Sequence, residues 1–149
     1  MISSVAGKSG NPLMAAYSAS KHAIEGLSES LRREMMLFGI EVVIIAPGAV
    51  KTPIWSKAEE VDISSYKNSP FFPALERIRK FMLQLGETGL PAEKIAEAIA
   101  EALTSAHPKV RYQLTPDPMR HLMSAVLPKR MVDKIIAKRL GLMPSAPAP

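Results

Sequence analysis

Hydrophobic positions along the chain switch between two periods. Ile24, Leu27, Leu31 and Met35 recur at helical spacing, with Glu25, Glu29, Arg32 and Arg33 as the expected wet face. The spacing predicts a long helix over 13–38, with Glu29 placed to pair with Arg33 one turn on. Asn11 suits its N-cap, Pro12 its first turn and Gly39 its stop. Residues 40–46, Ile-Glu-Val-Val-Ile-Ile-Ala, are β-branched and nearly all apolar, without alternation. That is the pattern of a strand covered on both faces, as in a parallel sheet. Ahead of the helix, Met1-Ile2 is only a stub, followed by Ser3-Ser4 and the turn residues Gly7 to Pro12. Strand stub, long helix and buried strand make a βαβ crossover.

The pattern weakens from Lys51 to Gly89, where only Leu75, Ile78, Met82 and Leu85 keep helical spacing. This stretch, about 53–90, is expected to be an insertion over the sheet edge. A cleaner helix follows over 91–106, carried by Ile95, Ala98, Ile99, Ala102 and Leu103. Residues 110–114 form a short strand candidate. Asp117-Pro118 starts another helix, Pro128 interrupts it, and Met131, Val132, Ile135, Ile136 and Leu140 face one way after it. Residues 143–149, rich in proline and small side chains, are expected to be a disordered tail. The main body is then one domain over 1–142.

Composition trims the possible functions. The 149 residues include no cysteine, which removes disulfides and cysteine-based metal sites. His22, His107 and His121 lack a ligand spacing, so no metal is expected. Gly7-Lys8-Ser9 lacks the earlier glycine of a phosphate loop, and no Gly-x-Ser-x-Gly elbow is present. No leader pattern or bilayer-length apolar run is visible, so a cytoplasmic location is expected. Net charge is +5 and only 5% of residues are aromatic. The late basic residues do not interleave with aromatics, which disfavours nucleic acid. The basic and apolar helix over 119–142 has two readings, packing against protein or peripheral contact with a membrane. Trp55, Phe71, Phe72 and Phe81 likewise suit either an apolar cleft or ordinary packing.

Candidate chemistry sits in the first crossover. Tyr17 and Lys21 stand four apart on the long helix, so they share a face. An ammonium beside a phenol favours the ionised phenol, which makes a tyrosine usable as an acid or base. Ser4 follows one strand and Pro47-Gly48 ends the next. In an open parallel sheet, ligands bind outside the carboxyl ends of the strands.

Ser4, thirteen residues ahead of Tyr17-x-x-x-Lys21, together with Ile45-Ala46-Pro47-Gly48-Ala49-Val50-Lys51-Thr52, resembles the signature of the short-chain dehydrogenase/reductases. Arg111-Tyr112 and the Leu127-Pro128 region are most similar to the branch with retinol and hydroxysteroid dehydrogenases and related bacterial oxidoreductases. The resemblance implies an α/β fold, a Rossmann-like doubly wound parallel sheet. It implies an NAD(P)-dependent oxidoreductase that interconverts an alcohol and a ketone or aldehyde. Tyr17 would be the general acid/base, Lys21 would favour its ionised form and hold the nicotinamide ribose, and Ser4 would hold the substrate oxygen. Pro47, Gly48, Val50 and Thr52 would line the nicotinamide of NAD or NADP. The substrate would be a small apolar alcohol or ketone, and the full-length protein a homo-oligomer paired through the long helix.

The family's glycine-rich turn and its Asn-Asn-Ala-Gly strand belong upstream of the catalytic serine. The chain is therefore expected to be the C-terminal portion of such an enzyme, with the dinucleotide-binding half missing and little activity alone. The alternative is a non-catalytic truncated remnant or a helix-mediated interaction module.

Overall fold

The computed structural model describes residues 1–144, so the expected tail lies, from residue 145 on, outside the described residues. Two compact units are present: Met1–Lys51 with Thr88–Pro116, and Thr52–Glu87 with the stretch from Asp117 onward.

The first unit is built on a small parallel sheet. β1 (Ile44–Pro47) pairs with β2 (Arg111–Leu114) in parallel, Ile45 opposite Tyr112. Ile2 bridges to Ile45 on the other side of β1, also in parallel. Ser3 N donates to Ile45 O at 2.8 Å, and Ile45 N donates to Met1 O at 2.9 Å. Even the two-residue stub is therefore hydrogen-bonded as a strand. β1 is buried at three consecutive positions, Ile44, Ile45 and Ala46, the result expected of a strand covered on both faces.

Helices supply that cover. α1 (Ala15–Met35) connects the stub to β1, and α4 (Ala92–Thr104) leads into β2. Tyr112 packs with Ile45 and Ala98, joined by Ile95, Ile99 and Ala102 of α4. Its neighbour Arg111 reaches instead to Glu25 of α1. Adjacent strand residues point to opposite faces, so α1 and α4 lie on opposite sides of the sheet. This is the doubly wound α/β arrangement.

Several local expectations shift. α1 starts at Ala15, after Met14, and Asn11 does not cap it. Leu13 has φ 61°, a left-handed conformation that breaks the helical path behind it, and Asn11 O closes a turn on Met14 N. At the other end, a 3-10 turn (Met36–Phe38) and Gly39 at φ 66° stop the helix as expected. The burial of α1 also departs from its hydrophobic pattern. Its buried residues are Ser18, Glu25 and Ser28, whereas Leu27 is exposed. Small hydroxyl residues let the helix approach the Ser4–Gly7 turn closely, and a single buried carboxylate is held there by partners from elsewhere in the chain. Leu103 of α4 also falls outside its packed stripe and is exposed.

The second unit holds a 3-10 turn (Pro53–Trp55), α2 (Lys57–Glu60), α3 (Phe72–Thr88), α5 (Pro118–Val126) and α6 (Lys129–Leu140). Trp55 packs on α3 at Gly86, where an added Cβ would come 2.5 Å from the indole. Arg139 of α6 stands 4.8 Å from the centre of the Phe81 ring. Pro128 separates α5 from α6, and Gly141 at φ 70° ends α6. No described helix is long and apolar enough to cross a membrane.

Candidate active site

The stub, β1 and β2 end at a common rim. Ser4 stands directly after the stub, in extended conformation, and its hydroxyl is tied down twice. It accepts from Ala6 N at 3.2 Å, capping the 3-10 turn Val5–Gly7, and donates to Pro47 O at 3.3 Å. The hydroxyl is buried but lies at the strand ends.

α1 brings Tyr17 and Lys21 to the same rim. The Lys21 ammonium lies 5.7 Å from the centre of the Tyr17 ring, and 3.5 Å from Ile2 O at the stub. Tyr17 is 43% exposed, so its phenol is open to a ligand. The structure therefore gathers Ser4, Lys21 and Pro47 around the stub and β1, with Tyr17 beside Lys21.

Beyond Pro47 the backbone stays pinned. Gly48 N donates to Leu114 O at 2.7 Å, and a Cβ on Gly48 would sit 3.2 Å from Thr115 Oγ1. A side chain here would need the Thr115 side chain to give by a few tenths of an ångström. Val50 bridges to Leu90, with Lys51 N donating to Leu90 O at 2.8 Å. Thr52 opens the second unit, exposed and in extended conformation at the N-cap of the Pro53–Trp55 turn, where its side chain makes no capping bond.

Beneath this rim is a cluster that the hydrophobic pattern placed wrongly. Glu25, expected on the wet face, is 3% exposed. Arg111 Nε donates to it at 3.1 Å, and Lys8 Nζ lies 3.7 Å away. Burial pushes its carboxyl pKa up, but the Ser3 hydroxyl, Arg111 and Lys8 together outweigh this and hold it below 4.5. The Ser3 hydroxyl lies against the carboxylate and favours its charge, though it makes no hydrogen bond of regular geometry. Glu29 takes Lys8 at 3.4 Å as its partner in place of the expected Arg33. The sequence did contain a signal: Glu25 stands one turn beyond Lys21 on the same face as Tyr17 and Lys21.

The aromatic residues of the second unit divide among different surroundings. Phe71 is exposed, and Phe72 lines a groove with Glu59, Glu60, Asp62, Glu76 and Arg79. That lining is largely charged. Arg79 also donates to Glu59 O. Among the described residues no group of acidic residues and histidines is placed to hold a metal.

The sequence profile of the short chain dehydrogenases matches residues 1–62, which span the stub, α1 and β1. The chain belongs to the short-chain dehydrogenase/reductase family. An NADPH-dependent 3-dehydrocapnine reductase of Ornithobacterium rhinotracheale is 39% identical over 93% of this chain and 49% of its own length. The 17-beta-hydroxysteroid dehydrogenase type 6 of Bos taurus is 31% identical over 83% of this chain and 43% of its own. A crystal structure of a short-chain dehydrogenase from Streptomyces avermitilis superposes with a TM-score of 0.60 at 27% identity, covering 92% of this chain and 46% of that one. The chain thus spans about half the length of the curated relatives it matches. These likenesses cover 83% to 93% of this chain and so extend well past the profile match.

Proposed function

We propose that this chain carries the catalytic rim of an oxidoreductase that interconverts an alcohol and a ketone or aldehyde. The observation that supports the reading is the Lys21 ammonium, 3.5 Å from Ile2 O beside Ser4 and 5.7 Å from the centre of the Tyr17 ring. In reduction, the Tyr17 hydroxyl gives its proton to the carbonyl oxygen, and in oxidation it takes the proton back. Ser4 holds that oxygen by hydrogen bonding. Lys21 holds a ribose hydroxyl.

The rim fits a nicotinamide ribose. Tyr17 is accessible, and the one described contact of Lys21 Nζ with an oxygen is the 3.5 Å approach to Ile2 O. A bound nicotinamide cofactor supplies the hydride. Pro47, Gly48, Val50 and Thr52 are the proposed lining of its ring. Between NAD and NADP, the relative named as NADPH-dependent makes NADPH the first to test. The substrate is proposed to be a small apolar alcohol or ketone. The full-length protein is proposed to pair through the exposed side of α1. The relatives named for a hydroxysteroid and for retinol support that substrate class.

The alternative is a non-catalytic remnant or an interaction module built on α1, whose apolar Leu27 is exposed. The genomic DNA upstream of Met1 separates the two. An in-frame extension encoding Thr-Gly-x-x-x-Gly-x-Gly and Asn-Asn-Ala-Gly, in a protein that reduces a ketone with NAD(P)H, establishes the enzyme. Stop codons there establish the remnant.

A further inference from the structure

The charge of this chain is unevenly distributed. Residues 118–142 contain six basic residues, Arg120, Lys129, Arg130, Lys134, Lys138 and Arg139, against the single acidic Asp133. The chain has 19 basic and 14 acidic residues in all, so the remainder holds thirteen of each. The whole net charge of +5 therefore belongs to α5, α6 and their junction.

The same stretch exposes apolar side chains in an ordered way. On α5, Met119, Leu122, Met123 and Val126 stand at i, i+3, i+4 and i+7, one continuous face, and each is more than half exposed. On α6, Met131 and Ile135 are exposed one turn apart, and Lys134 and Lys138 share that face. Lysines flanking an apolar stripe can lay their methylene stems along it and keep the ammonium in water.

We propose that α5 and α6 form a peripheral docking surface for anionic lipid membranes, with the α5 stripe entering the headgroup–acyl boundary and the α6 lysines meeting the lipid charge. Charge complementarity selects this occupant. A second copy would set two surfaces of the same sign against each other. Single-stranded nucleic acid would call for aromatic platforms, and neither helix has a phenylalanine, tryptophan or tyrosine. An anionic bilayer satisfies both features, since it accepts apolar side chains and attracts basic ones.

The test is co-sedimentation of the 149-residue chain with phosphatidylcholine vesicles, alone or with about one-third phosphatidylserine. The expected result is pelleting with the anionic vesicles, little with the neutral ones, and release as salt is raised. Leu122→Glu/Val126→Glu and Lys134→Glu/Lys138→Glu should each lower the bound fraction by roughly tenfold. All four positions are exposed, and circular dichroism confirms that each variant is folded. Equal binding to neutral vesicles overturns the proposal, as does failure of the folded chain to bind or binding unchanged by both variants. A chain that ignores vesicles but passes from dimer to monomer on Leu122→Glu/Val126→Glu would assign the stripe to a second copy and also overturn it.

Discussion

Arg111 clamps Glu25 across 86 residues of sequence, with Nε 3.1 Å from Oε2 and a second guanidinium nitrogen 3.3 Å from Oε1. The pair joins the last strand of the sheet to the middle of α1. Glu25 stands two turns beyond Tyr17 and one beyond Lys21. Rotation of α1 about its axis would move all three side chains together. The ion pair ties this face of α1 to the sheet.

Removing one partner leaves the other without its main ion-pair partner at a partly buried site, a loss of about 1–3 kcal/mol. Glu25→Ala should lower the unfolding free energy by about 2 kcal/mol in urea titrations. Arg111→Ala should cost somewhat less, because Lys8 remains 3.7 Å from the carboxylate. A double-mutant cycle should show strongly non-additive losses. Additive losses would mean that the two side chains act independently.

The same pair sets a pH dependence. The Glu25 carboxyl is held below 4.5 in the folded chain, so between the folded and unfolded values the unfolded chain binds more protons. Its stabilising contribution is complete above about 4.5 and is lost as pH falls through the folded value. Melting temperatures recorded from pH 6 down to pH 3 should fall less steeply for Glu25→Gln than for the parent chain. Equal slopes would remove Glu25 from the acid transition.

Two glycines should respond oppositely to alanine. Gly26 lies inside α1, and a Cβ there would meet nothing within 4 Å, so Gly26→Ala should stabilise the chain by about 0.5–1 kcal/mol. At Gly89 a Cβ would come 2.9 Å from Ala49 O, a backbone atom beside the Val50–Leu90 bridge. Gly89→Ala should therefore destabilise by about 1–3 kcal/mol. Thermal unfolding of the two variants checks both signs.

The sheet was legible because its signals are local. The apolar run before Pro47 and the stripe of α4 need no distant partner to be recognised. The spacing of Tyr17, Lys21 and Ser4 was legible for the same reason, together with the family resemblance. Glu25 was misplaced because its burial depends on Arg111, Lys8 and Ser3, which a helical wheel does not contain. Leu27 was misplaced for the complementary reason: α1 buries its small hydroxyl face, so part of its apolar stripe is left outside. The start of α1 was missed by a few residues because Leu13 adopts a left-handed conformation that its side chain does not advertise.

The proposed role of Tyr17 is proton transfer at this rim. It is tested most directly by Tyr17→Phe in the full-length reading frame that contains this chain, measuring NAD(P)H-dependent ketone reduction beside cofactor affinity. Turnover should fall by about 10²–10⁴-fold, with cofactor affinity nearly unchanged because Lys21 and the Pro47–Val50 backbone remain. Full turnover in Tyr17→Phe would contradict it.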